Sequence, residues 1–109
     1  MFSIQIVDIT GNPVAGALVA RYIPTGAHFE NPADCPEDWH EVSVRKTNEE
    51  GVVQLLGQGT FAINVQIHGS PPAWVGAKGD LCVGRACVYS DVDNEEPQVV
   101  KACPGAVLF

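Results

Sequence analysis

Positive charge is scarce in this chain. Six Lys and Arg residues stand against thirteen Asp and Glu, which leaves a net charge of −7 and a pI near 4.6. A duplex binder needs a basic stripe to displace phosphate counterions, and six scattered cations do not form one. Nucleic acid is therefore excluded as a partner, and an anionic bilayer surface is disfavoured for the same reason. Long apolar runs are missing too. None approaches the roughly 20 residues that span a bilayer, so membrane insertion is not expected. The opening "MFSIQIVDITG" has no basic segment followed by an apolar core and a small-residue cleavage site. It reads as a strand beginning at residue 2, and no export signal is expected. Catalytic groupings are equally thin. Ser43, Ser70 and Ser90 have no His within motif distance, and His28, His40 and His68 are widely scattered. No nucleophile, no cofactor site and no enzymatic activity is expected.

What the chain does have is apolar content and punctuation. Hydrophobic residues make up 46% of 109 positions, enough for one modest core in a single domain over residues 1–109. Eleven Gly and eight Pro favour many turns over long helices. "FSIQIVD" alternates apolar and polar residues with the period of a half-buried strand. "TGNP" turns the chain, and "VAGALVARYI" reads as a second strand. Residues 24–40 read as a long loop, with one helical turn near "PEDWHE". "EVSVRK" and "VVQLLG" are strands joined by the turn "TNEEG". "TFAINVQIH" alternates cleanly, with Phe61, Ile63, Val65 and Ile67 facing one way. "GSPPAWVGAKGD" reads as a loop. "LCVGRACVYSD" and "QVVKAC" supply the last strands, joined by the acidic stretch "VDNEE". About seven short strands with closely spaced turns predict an all-β, Greek-key β-sandwich of the immunoglobulin-like kind.

Two stretches carry a family resemblance. "IVDITGNPVAGALV" (6–19) resembles the D-x-x-G-x-P-[VL]-x-G-A-x-V opening of carboxypeptidase regulatory-like, or transthyretin-like (prealbumin-like), domains. "TNEEGVVQLLGQGTFAINVQIHG" (47–69) resembles their second signature at Thr47, Asn48, Gly51, Gly59, Phe61 and Gly69. The likeness covers roughly the first two thirds of the chain, apart from the 24–40 loop. It implies a prealbumin-like sandwich and a non-catalytic accessory, adhesive or structural module. One enzymatic branch with this fold, the hydroxyisourate hydrolases, ends in Tyr-Arg-Gly-Ser. This chain ends "PGAVLF", so the resemblance does not extend to that activity. Residue by residue, the same positions have a plain turn-and-core explanation.

Four cysteines remain. Cys82 and Cys87 are separated by four residues, which is not a usual zinc spacing, and Cys35 and Cys103 are distant, so no metal is expected. Disulfides are the favoured reading, with reduced buried thiols as the alternative. The favoured pairing takes Gly84-Arg85 as the tip of a two-residue hairpin, so that Cys82 faces Cys87 and Cys35 is left for Cys103. If the last hairpin centres on "DNEE", Cys87 faces Cys103 and Cys35 is left for Cys82. Asp91, Asp93, Asn94 and Glu95 carry oxygen ligands suited to calcium, but without the ordered spacing of a dedicated loop they read as a solvated hairpin tip.

Phe29, Trp39 and Trp74 fall in the two Pro-rich loops, where aromatics either anchor a partner or cap the core. The terminal "AVLF" suits an edge strand or insertion into a neighbouring subunit. The expected function is a decoration or accessory protein of a larger assembly, such as a phage virion or a surface filament. Its partners are then proteins, copies of itself included, and it works in a virion or at an extracellular surface where bridges form. The competing expectation is an extracellular adhesion or ligand-binding domain, for carbohydrate or protein.

Overall fold

Phe2, Ile4 and Ile6 alternate with Ser3 and Gln5, and that period of two produces the first strand, β1 (Phe2–Val7). The computed structural model describes residues 1–24, 39–67, 73–75, 80–82 and 88–102, with backbone alone for 80–82 and 102. The remaining elements are β2 (Leu18–Pro24), β3 (Trp39–Lys46), β4 (Val52–Leu55), β5 (Thr60–Gln66), β6 (Ala73–Val75), β7 (Asp80–Cys82), β8 (Tyr89–Ser90) and β9 (Gln98–Ala102). No helix occurs among the described residues.

Eight strands follow one hydrogen-bonded path, β3-β2-β5-β6-β7-β9-β1-β4, and β8 joins β5 off that path. Most neighbours are antiparallel, but β9 runs parallel to both β1 and β7. The path doubles over, so two sheets pack face to face in a sandwich. Ile4, Ile6, Leu55 and Val100 from one side meet Val19, Phe61, Ile63, Val65 and Val75 from the other, and none is more than 1% exposed. Burying each such side chain contributes about 1.5–3 kcal/mol before chain entropy is counted.

The expected all-β sandwich is what the chain forms, with three local differences. "AWV", placed in a loop by its Pro neighbours, is the buried strand β6, paired to β5 through Asn64↔Trp74 and Val65↔Ala73. Three residues are too few to show a period, so only the partner strand reveals it. Trp39, His40 and Glu41 do not form a helical turn. They begin β3, because Pro24, Ile23 and Tyr22 supply a ladder for them. Nor do "VYS" and "QVVKA" form a hairpin over "DNEE": β8 pairs with β5, while β9 lies between β7 and β1. The acidic stretch therefore crosses from one pairing to the other.

Both ends of the strand path are blunted. On β3 the register slips between Arg21 and Tyr22, leaving Val42 as an extra, bulged residue. Arg45 stands opposite core-facing Val19, which puts a charge on the inner side of that edge strand. On β4, Asn48 bonds both the amide and the carbonyl of Val52, at 2.9 and 3.0 Å. Just beyond, the Leu56 carbonyl accepts from Arg21. Bulges, inward charges and occupied edge groups all oppose strand addition by another chain.

Candidate functional site

One pole of the sandwich gathers the two stretches that resemble the prealbumin-like signatures. Asp8 and Asn48 each build a five-residue loop by accepting two backbone amides on one side-chain oxygen. The Asp8 carboxyl is held below its ordinary value, first by the Thr10 hydroxyl and then by the Asn12 amide. Thr47, buried between the stretches, donates its hydroxyl to the Val14 carbonyl at 2.6 Å and accepts the Ala17 amide at 2.9 Å. Gly51 closes the joint: the Ile6 amide donates to its carbonyl at 2.8 Å. These polar groups are spent on holding backbone.

The opposite pole is organised around Arg21, which is buried with its guanidinium 4.7 Å above the Phe61 ring centroid. Burial lowers its pKa from the ordinary arginine value, yet a guanidinium stays charged. Among the described residues no carboxylate forms an ion pair with it. It donates instead to the carbonyls of Leu56 and Gln58. The carbonyl that follows each of these, Gly57 and Gly59 respectively, accepts the amide of Val92 or Asp91. All four carbonyls of this turn are thus satisfied, alternately by a side chain and by the crossing segment. Phe61 stacks on Tyr89 at 5.4 Å, and Phe2 lies 5.1 Å from Tyr89.

The acidic stretch is bound into this pole. Asp91, at φ +50, accepts the Gly59 amide at 2.9 Å. Asp93 pairs with the N-terminal amine at 3.2 Å. The Asn94 carboxamide bonds both the amide and the carbonyl of Ser3, at 2.8 and 3.0 Å, as a neighbouring strand would. These oxygens serve the crossing, and no group of three His, Cys, Asp or Glu suited to a metal occurs among the described residues.

Trp39 and Trp74 come together on the outward face of the β3-β2-β5-β6 sheet. They cluster with Ala62, and Tyr22 meets Trp74 edge-on at 5.0 Å. Both indoles are nearly covered, at 4% and 9% exposure, and Tyr22 is half-buried. Burial raises the Tyr22 pKa, and the Glu41 charge opposite it raises it further. Around the cluster Val42 and Val44 stand exposed. Phe29 lies outside the described residues. So do Cys35, Cys87 and Cys103, and Cys82 is placed by its backbone alone, opposite Trp74. Sequence reasoning missed Arg21 and Tyr22, and it read Asn94 as part of a solvated tip rather than as the partner of Ser3. Arg21 had one signal, a charge in phase with Ala17 and Val19 on a core-facing side of β2.

No protein-family model matches the chain, and no curated protein matches it significantly.

Proposed function

We propose that this chain is a non-catalytic interaction module, an accessory or decoration subunit of a larger assembly such as a phage virion or surface filament. The observation that carries the reading is the second apolar cluster. A two-layer sandwich needs one core, and an antiparallel sheet usually turns its other face to water. Here the outward face of β3-β2-β5-β6 carries Trp39, Ala62, Trp74 and Tyr22, with Val44 exposed beside them. With both strand edges blunted, the exposed Val42 and Val44 beside that nearly covered cluster are the natural place for a protein partner. The polar groups at both poles support the same reading, because they hold loops together. We further propose that the fold is of the carboxypeptidase regulatory-like or transthyretin-like type. Its two signature stretches are laced together by Thr47, Gly51 and the Ile6 amide.

The test compares the chain with particles or filaments purified from its source, using mass spectrometry of the assemblies and light scattering of the isolated protein. The expected result is a fixed stoichiometry in the assembly. That stoichiometry should fall when the exposed Val44 is changed to Glu while the melting temperature is unchanged. A monodisperse monomer absent from every assembly overturns the reading.

A further inference from the structure

Two hollows of opposite charge lie along β4, one beside the strand and one just past its end. The first, about 580 Å³, is lined by Arg45 and Lys46 from the end of β3 and by residues 52–54 of β4. It lies between β3 and β4, the two ends of the strand path. Both cations are exposed, and among the described residues neither has an ion pair. Two of the chain's six Lys and Arg residues therefore stand here together without a counter-charge. Glu49 and Glu50 follow on the turn but do not line the hollow. The second hollow, about 510 Å³, is lined by Met1, Leu56, Asp91, Val92 and Asp93, among others. Glu95 and Glu96 continue this acidic stretch and are exposed. The N-terminal amine offsets one carboxylate of it, that of Asp93. A strand advances about 3.3 Å per residue, so the hollows, centred near Val53 and Gly57, are no more than roughly 13 Å apart along one edge.

We propose that this edge is a two-fold homodimer interface, in which the hollow at Arg45 and Lys46 of each copy receives the acidic stretch 91–96 of the other. A two-fold axis joins the same patch of both copies, so every contact is made twice, in both senses. Two such edges laid antiparallel fill both basic hollows at once. The axis falls between the hollows, near Leu56, whose side chain is 51% exposed and meets its own copy there. An apolar middle with charged ends is the ordinary anatomy of an interface. Net charges of −7 repel at a distance. At about 0.15 M salt the Debye length is about 8 Å, so the facing groups outweigh the remote ones. The contact uses side chains and needs no pairing of the blunted strand edges. It does not depend on a larger assembly: a chain monomeric in isolation yet stoichiometric in particles overturns the dimer and upholds the assembly.

Sedimentation equilibrium of the full chain in about 0.15 M salt compares the parent with Arg45→Glu/Lys46→Glu and with Asp93→Lys/Glu95→Lys. All four positions are exposed, and thermal melts check that each variant is folded. Where a double variant melts early, the single reversal Lys46→Glu or Glu95→Lys takes its place. The parent is expected to be a dimer. Each variant alone should dissociate at least tenfold more readily, because every reversal acts twice in a two-fold contact. Mixing the two variants in equal amounts restores opposite charges at both contacts, and native mass spectrometry should then show a one-to-one heterodimer. A monomeric parent overturns the proposal. So does a dimer that the reversals leave intact, or a mixture that stays monomeric. Species larger than two in the mixture mean a head-to-tail contact, and they overturn the two-fold arrangement.

Discussion

Asp8–Asn12 and Asn48–Val52 share one loop geometry at the same pole. In each, the first side chain accepts the amides two and four residues on, at 2.9 Å. In each, the first carbonyl accepts the amide of a glycine three residues on, and the first amide donates to the carbonyl four residues on. The glycines, Gly11 and Gly51, both have positive φ, +93 and +76. The surroundings differ. A Cβ on Gly11 would meet nothing within 4 Å, whereas one on Gly51 would sit 2.6 Å from the Ile6 carbonyl oxygen and 3.1 Å from the Val14 amide. Matching D-x-x-G and N-x-x-G patterns therefore specify the same local turn and two different roles. One loop projects from the pole, and the other is the joint against which β1 and the Pro13 and Val14 backbone are set.

The largest effect that separates them is glycine replacement. Gly51→Ala adds an unfavourable left-handed backbone to a collision with main chain, and should destabilise by at least about 3 kcal/mol. Gly11→Ala carries the backbone cost alone, about 1 kcal/mol. Urea unfolding of both variants measures the gap, and equal losses would break the comparison. Next comes the residue before each loop. Val7 is buried and apolar, bridged to Pro13, whereas Thr47 is buried and polar. Thr47→Val keeps the shape but strands the Ala17 amide and the Val14 carbonyl, a loss of about 2 kcal/mol. Thr47→Ser retains the hydroxyl and should recover most of that in the same denaturation assay.

These loops were also the most legible part of the sequence. "TGNP" and "TNEEG" name their turns because the decisive bonds lie within five residues, and Phe61, Ile63 and Val65 name the core side of β5 by period alone. Legibility fell where the deciding contact is remote. "DNEE" has the composition of a hairpin tip, yet Asn94 bonds Ser3 and Asp91 bonds Gly59, so the segment crosses the pole. Nothing local announces that β9 lies parallel to β1. "AWV" becomes a strand only because Asn64 and Val65 offer it a ladder. Of the candidate site, the aromatic types were visible at Trp39 and Trp74. Their meeting with Tyr22 on one face was not, because it depends on the order of β2, β5 and β6.

The smallest expected difference between the loops is a matter of charge. Asp8 and Asn48 accept the same two amides, but only Asp8 carries a proton-sensitive group, and the Thr10 hydroxyl adds a further donor to it at 2.6 Å. Those donors favour the carboxylate, so the folded pKa lies below the unfolded one. The unfolded chain then binds its proton first as acid is added. The stability this loop draws from Asp8 is complete above the unfolded value, near 4 for an aspartate, and is lost as pH falls through the lower folded value. Asp8→Asn should give a loop whose contribution is flat across that window, like its Asn48 counterpart. Asn48→Asp should create an acid-sensitive contribution where there was none. Thermal melts of the two variants and the parent, taken from pH 6 down to about pH 3, should show the slope become shallower in the first and steeper in the second. Parallel curves for all three would mean that neither carboxylate is bound more tightly than solvent would hold it, and that the hydrogen bonds at Asp8 do not persist in solution.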